Sequence, residues 1–547
     1  MLGQAVSGTG GIGQASSRSD GVLWAILGLA AILLFWGLGD RSLWQDEAET
    51  ALLGKNILHF GRPLAFDGAN VISQEASKEF GPDYLWRWSP WIQLYIAAGS
   101  FAVLGPTTLA ARLPFTVLAF LAIPLTYRLA RRLFDSIAAA RLSALFLALS
   151  APFLLYARQS RWHGPAYLLL ACLLLCLDGM RRGRWPAVLG FAVCAAIFFY
   201  TNFFVAIGVL AALAAATLAA VPAATPFYRP DRRLLVSLAT AYALTAAACL
   251  PGLLFFNSFR EGANFDPARV YQQLAIYSAA CLTFVLPLPV IIVLVYFLLK
   301  GRVVTGFPQD WRQSVLFLLA FSLAYVLYLS LGPWMMFRYM TVLLVPAALL
   351  IGVAVYGIMQ WNRVAGVVVV LLLICTNAIH LLPLGYLPKT AKVTYSTVSN
   401  FPSVGPVGFP LACYLCELVY PIKDSEAILA DYLREHASRN DVVLAQYGDL
   451  PLQFYTGLRV IGGMQGQPLP TNPDWIVQRG FVLSPDSPGK DGSVRDFILS
   501  EIPGHEYMIV LTAPDLMLGN SPEPQFHLYR RPPATVNPPA MVLWHRK

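Results

Sequence analysis

The chain has 547 residues, of which 57% are hydrophobic and 13% charged, where soluble domains carry about 25% charged residues. Lys and Arg (39) outnumber Asp and Glu (30), but they gather in short loops between apolar runs and form no long stripe, so nucleic acid is excluded as the main partner. The apolar runs lie between positions 21 and 384, and at about 20 residues each they can cross ~30 Å of hydrocarbon. The composition predicts a polytopic α-helical membrane protein with one C-terminal extramembrane α/β domain.

Residues 1–20 are rich in Gly and Ser and are expected to be a disordered cytoplasmic N-terminus. The first span is 21–38. Its downstream flank, with Trp44, Asp46 and Glu47, lacks a small-residue cleavage site, which favours a retained span over a signal peptide. Residues 39–108 then form a long outer loop. Within it, 46–60 has helical spacing of Ala48, Leu52, Ile57 and Phe60, stopped by Gly61-Arg62-Pro63. The apolar stretch 89–104 is short for a span. If it lies along the membrane surface, further spans fall at 109–127, 137–156, 163–177, 186–200, 202–222, 235–256, 275–299, 314–331, 340–358 and 364–384. The basic clusters at Arg128/Arg131/Arg132, Arg181/Arg182/Arg184, Arg229/Arg232/Arg233 and Lys300/Arg302 are then all cytoplasmic. The resulting topology has about 11 spans, with the N-terminus in and the C-terminus out.

After 384 the character changes. Residues 385–423 mix Pro, Gly and aromatics and read as a connector or lid; 424–547 read as a periplasmic α/β domain. Helices are expected at 424–438 and 451–455, and strands at 442–445, 459–461, 474–477, 507–511 and 526–529. Six of the eight cysteines sit in spans as small packing residues. Cys413 and Cys416 lie outside them, as a tiny disulfide loop or as packing.

Charges that stay outside are the exceptions to the topology bias. They are Asp46, Glu47 and Glu49; Arg158 and Arg161 with His163; Arg260 and Arg269; and Arg338 with Tyr339, while Lys78, Arg87 and Trp88 decorate the first outer loop. Arginines at an interface often only snorkel to headgroups, and Asp46-Glu47 could simply open a helix. As a set they suit a different chemistry. Arginine forks bind phosphate oxygens, and a carboxylate can take the proton of an attacking hydroxyl. A substrate with phosphate at the interface and its chain in lipid, such as a polyprenyl-phosphate sugar, would use both. No Gly-rich nucleotide loop stands out.

Four motifs in order carry a resemblance: Asp46-Glu47-Ala48; Ser89-Pro90-Trp91 followed by Ala111-Arg112-Leu113-Pro114; Ala157-Arg158-Gln159-Ser160-Arg161-Trp162-His163; and Phe337-Arg338-Tyr339 followed by Leu344-Val345-Pro346. With them the chain resembles GT-C class membrane glycosyltransferases, in particular the branch of protein O-mannosyltransferases and the lipid A aminoarabinose transferase. Phe454-Tyr455-Thr456-Gly457-Leu458 is similar to periplasmic domains that follow such bodies. The resemblance implies inverting sugar transfer from a polyprenyl-phosphate donor to a glycan, glycolipid or protein acceptor in a bacterial inner membrane. Asp46 would be the base, with Glu47 and His163 as further catalytic candidates. Arg158, Arg161, Arg338, Tyr339, Arg260, Lys78, Arg87 and Trp88 would be substrate-binding. A monomer without cofactor is expected, although Asp46, Glu47 and His163 could together hold a divalent ion. Many relatives carry an acid at His163 and a double proline at Pro90-Trp91. The alternatives are a transporter or flippase of lipid-linked or anionic solutes, a polymerase or ligase using lipid-diphosphate glycans, and a non-catalytic assembly or sensor protein.

Overall fold

The computed structural model of the chain describes residues 20–219, 232–256, 267–300, 311–333, 335–381, 407–420, 424–462, 464–470, 472–479, 498, 500, 507–515 and 540–547. The expected strand at 526–529 lies outside these residues, as does Arg260.

The membrane body is a helical bundle. Its helices are α1 (Gly21–Phe35), α4 (Thr108–Phe134), α5 (Ile137–Ala148), α6 (Ala151–Ala157), α7 (His163–Arg181), α8 (Pro186–Thr201), α9 (Phe203–Ala219), α10 (Arg232–Phe255), α11 (Pro267–Ala280), α12 (Leu288–Lys300), α13 (Trp311–Leu331), α14 (Leu344–Trp361) and α15 (Arg363–Cys375). Among the described residues, five helical stretches are long and apolar enough to cross a membrane, and seven if each of two bent pairs is one span. The α5–α6 pair bends by 60° and the α11–α12 pair by 84°. Pro152 and Pro287 stand at the bends, where a missing N–H and a fixed φ interrupt the helical ladder. The expected spans at 137–156 and 275–299 are therefore broken helices. A continuous core unites the bundle, with Phe153, Tyr167, Phe191, Tyr277, Phe321, Tyr325 and Phe337 at its centre.

Between α1 and α4, the first loop is a compact layer. Helix α2 (Gln45–Phe60) matches the expected helix at 46–60 and ends on Gly61 at φ 72°. Helix α3 (Ile92–Leu104) has 13 residues, too few to cross ~30 Å. The segment between them is not a loose polar loop. Short bridges Leu64↔Leu85, Phe66↔Val71 and Phe80↔Trp86 fold it around Trp86, which is fully buried with Leu43, Ile72, Leu94 and Phe115.

The C-terminal domain contains α16 (Ser425–His436), β1 (Val442–Ala445), α17 (Asp449–Thr456), β2 (Arg459–Gly462), β3 (Trp475–Gln478), β4 (Tyr507–Pro514) and β5 (Ala540–Arg546). The sheet order is β2-β1-β3-β5-β4; β2, β1 and β3 are parallel, and β5 pairs antiparallel with β3 and β4. Strand β5 was not anticipated. Leu450 and Phe454 on α17 enter the core of the first loop, so the two units share apolar packing. Polar bonds join them as well. Ser42 N donates to Asp424 (2.9 Å), Leu43 N to the Tyr455 hydroxyl (2.8 Å), Asn70 Nδ2 to Leu458 O (3.0 Å), and Ala76 N to Met464 O (3.0 Å). The domain is built into the loop. Cys413 and Cys416, on the helix Pro410–Val419, are free thiols.

Candidate active site

Helix α2 begins at Gln45, with Trp44 as its N-cap, so Asp46 occupies the second helical position and does not itself cap. Glu47, at the third, reaches back towards Trp44 N (3.4 Å), half of a capping box. Successive helical residues point about 100° apart. The two adjacent acids therefore face different partners.

Glu47 faces inward and is fully buried. Arg112 on α4 meets it with two donors, Nη2 to Oε2 at 2.6 Å and Nε to Oε1 at 2.9 Å. Ser160 N adds a third bond (2.7 Å). Arg112 also donates to the carbonyls of Leu38, Arg41 and Ser42 at 3.2, 2.9 and 3.0 Å. The pair thus ties the end of the first membrane segment, the start of α2, α4 and the loop before α7.

Asp46 faces the other way, with Glu49 and Thr50 beside it. Arg338, in the tight 3-10 turn Phe337–Leu343 before α14, donates Nη1 to Asp46 Oδ2 at 2.5 Å. Arg161 lies 3.4 Å from the same oxygen, 3.0 Å from Glu49 Oε1 and 2.9 Å from the Asp46 carbonyl. Gln74 from the first loop donates to Glu49 Oε2 (2.7 Å). Two acids and two arginines from three distant segments, with Gln74 from a fourth, thus form one cluster. Burial would push the Asp46 pKa up, but the adjacent Arg338 and Arg161 outweigh it and hold the carboxyl below its ordinary value. Burial wins at Glu49, which is raised despite Arg161, with the Asp46 charge adding to the rise. Asp46 is the ionised member and Glu49 the more easily protonated one.

Aromatic rings line the cluster. The Arg338 guanidinium lies 6.0 Å from the Trp44 ring centre and 5.9 Å from that of Tyr339. Trp162 stacks on Tyr339 at 6.0 Å and on His163 at 4.0 Å. His163 is 1% exposed, and neither ring nitrogen has a hydrogen-bond partner among the described residues. It opens α7 two residues after Arg161.

Other sequence candidates stand apart. Arg158 donates to the carbonyls of Leu33, Trp36 and Gly37 at 3.0, 2.8 and 2.9 Å, closing the C-terminal end of α1. Its donors are spent on a helix end, where a cation complements the free carbonyls. Arg87 pairs with Asp83 (2.8 Å) and faces the Phe255 ring. Trp88 packs against the loop core, and Lys78 lies in the turn 76–79 next to Glu79. Arg269 bonds the Pro333 carbonyl. Glu49 pairs with Arg161, not with Arg41 or Lys55; Arg41 pairs with Glu417 (3.1 Å) and Lys55 sits over Phe454. Among the described residues no group of three or more His, Cys, Asp or Glu side chains is arranged to hold a metal ion, and Asp46, Glu47 and His163 do not converge on one point.

Sequence reasoning passed over Gln74, Glu79, Arg112 and Asp449. Glu79 is fully buried and accepts from Ser73 Oγ (2.7 Å), Gln74 N (2.5 Å) and Glu75 N (2.6 Å), which fixes the turn that delivers Gln74. Burial nonetheless raises its pKa to about 7. Asp449, at the start of α17, receives Gln45 Nε2 (2.8 Å) and Gln465 Nε2 (2.6 Å). A signal for Arg112 was present, as a charge four residues into a span needs a partner.

Residues 89–254 match the family model described as dolichyl-phosphate-mannose-protein mannosyltransferase. Among solved structures, ArnT from Cupriavidus metallidurans is similar in its apo state (TM-score 0.55, 15% identity, 96% of this chain and 98% of that one). The same protein bound to undecaprenyl phosphate gives a TM-score of 0.51 at 15% identity over the same shares, 96% and 98%. No curated protein matches in sequence. The matched segment contains α3, α4 and the turn carrying Arg161, so local sequence and overall shape both bear out the resemblance read from the four motifs. The chain is a multi-pass membrane protein whose fold is similar to that of ArnT along its length, and its residues 89–254 match the dolichyl-phosphate-mannose-protein mannosyltransferase family model.

Proposed function

We propose that the protein transfers a sugar from a polyprenyl-phosphate carrier to an acceptor hydroxyl, with inversion at the anomeric carbon. The observation that carries this is the buried cluster in which one ionised carboxylate, Asp46, is shared by Arg338 and Arg161. The donor phosphate takes up the guanidinium donors of Arg338, and Tyr339 and Trp162 wall the same side. Each donor that Arg338 turns towards phosphate is withdrawn from Asp46, so the carboxylate becomes more basic as the substrate settles. The acceptor oxygen attacks the anomeric carbon, the bond to the phosphate oxygen breaks, and the acceptor proton passes to Asp46. Phosphate leaves readily, so one base and charge stabilisation suffice. His163, whose two ring nitrogens have no hydrogen-bond partner among the described residues, binds a hydroxyl of the sugar or acceptor. Glu47 serves by holding α2 through Arg112.

The chain sits in a bacterial inner membrane with about 11 spans, its N-terminus in, and the site and C-terminal domain in the periplasm. Support comes from the basic clusters between spans. The domains are the membrane body 21–384, the connector 385–423 and the periplasmic domain 424–547. The test is to offer purified protein in nanodiscs a panel of radiolabelled polyprenyl-phosphate sugars, with inner-membrane extract as acceptor source. Label moving to an acceptor product supports glycosyl transfer. Donor crossing the membrane without any bond exchanged would support the transport alternative.

A further inference from the structure

The C-terminal domain meets α2 at the residue next to Asp46. Gln45 Nε2 donates to Asp449, and Asp449 is held on its other side by Gln465. Two residues before Asp449, in the turn between β1 and α17, stands Tyr447. Its position is fixed from both ends. Arg479 Nε donates to the Tyr447 carbonyl (3.1 Å), and Arg479 is itself paired with buried Glu426. Gly448 follows at φ 85°, a conformation that other residues adopt only under strain, with Arg479 and Glu426 filling the space a side chain would need. The turn is thus locked, and it abuts the first turn of α2.

The Tyr447 side chain is half-buried, and its hydroxyl makes no hydrogen bond with a described residue. It stands within electrostatic reach of the reacting groups. Burial, and then the charges of Asp46 and Asp449 against that of Arg338, keep the phenol protonated far above its usual range. A neutral phenol has one donor, two acceptor lone pairs and a flat ring face. That set suits a neutral, hydroxyl-bearing group, where Arg338 suits phosphate.

Direction separates the two. Arg338 comes from the turn at the head of a membrane helix, whereas Tyr447 comes from the soluble domain. In an inverting displacement the nucleophile approaches opposite the leaving group. With the phosphate at Arg338, the acceptor lies towards the C-terminal domain. Building on the glycosyl transfer proposed above, we infer that Tyr447 is an acceptor-binding residue, and that the C-terminal domain completes the site by hydrogen-bonding the hydroxyl-bearing end of the acceptor.

The experiment uses the full chain in nanodiscs and compares wild type with Tyr447→Phe, which keeps the ring and loses only the hydroxyl. Three quantities are measured: thermal stability, affinity for undecaprenyl phosphate, and radiolabel transfer against graded inner-membrane extract. The expected result is unchanged melting, unchanged undecaprenyl phosphate affinity, and a roughly three- to tenfold higher acceptor concentration for half-maximal transfer, the effect of one lost neutral hydrogen bond. An acceptor dependence equal to wild type overturns the inference. So does weakened undecaprenyl phosphate binding, which would move Tyr447 to the donor side. If wild type itself transfers no label, glycosyl transfer fails and the tyrosine assignment falls with it. If wild type transfers and the variant matches it, the tyrosine assignment alone falls.

Discussion

Replacing Glu47 by Ala should cost the protein its stability before it costs any chemistry. The Glu47 carboxylate is fully buried, and Arg112 opposite it is 6% exposed. Two short bonds, 2.6 and 2.9 Å, join them. Removing one partner of a buried ion pair leaves the other charge uncompensated, at about 3–5 kcal/mol. Three backbone carbonyls still hold the orphaned guanidinium here, so the lower end, about 3 kcal/mol, is expected. Glu47→Ala should therefore melt several degrees lower in detergent, and Arg112→Met should do likewise. The double variant should be less destabilised than the sum of the two, because each single change already strands its partner. The assay is thermal unfolding of the purified full chain followed by size-exclusion, with undecaprenyl phosphate binding measured below the transition. A Glu47→Ala protein as stable as wild type, binding undecaprenyl phosphate normally yet unable to transfer, would refute the reasoning and make Glu47 a chemical participant.

The two outer arginines that look alike in sequence should separate by assay. Arg338→Ala should weaken undecaprenyl phosphate binding by roughly ten- to a hundredfold, the worth of a charge-assisted bond. Arg158→Ala should lower melting and leave undecaprenyl phosphate binding unchanged, since its donors close α1; equal effects on binding would place Arg158 at the phosphate. Stability should also depend on pH through Glu79, whose carboxyl is raised by burial to about 7. A folded-state pKa above the unfolded one means the native state holds the proton longer. Stability is therefore greater at mildly acid pH and falls as pH rises from the ordinary glutamate value through about 7. Glu426 in the C-terminal domain, also raised to about 7 by burial, adds to the same slope. Glu79→Gln should flatten the melting-temperature profile between pH 5 and pH 8 in part; an unchanged slope would show that Glu79 does not titrate there.

Much of the fold was legible because periodicity and charge carry it. Helix 46–60, the helix within the apolar stretch 89–104, and the helix-strand alternation after 424 all follow from spacing and composition. What escaped depended on three-dimensional closure. Asp46 and Glu47 read as one acidic pair, but the 100° helical step sends one to a structural arginine and the other to the site. Arg158 and Arg161 read as a pair of outer arginines, yet they flank a non-helical turn, and its geometry hands one to the end of α1 and the other to Asp46. Within the outer loop, the core around Trp86 escaped because it is assembled from residues scattered between turns and completed by α17. Strand β5 went unread because its partners, β3 and β4, are distant in sequence. The cluster of Asp46, Glu49, Arg161 and Arg338 was anticipated in residue type and general location, but its pairing and the part played by Gln74 were not.

The central claim is that Asp46 accepts the acceptor's proton while Arg338 and Arg161 bind phosphate, and Asp46→Asn tests it most directly. The substitution keeps the shape and removes the charge. The account predicts that the variant folds, binds undecaprenyl phosphate as tightly as wild type or tighter, since both arginines lose their competing carboxylate, and transfers sugar about 10²- to 10⁴-fold more slowly. An Asp46→Asn protein that transfers label at the wild-type rate would contradict it.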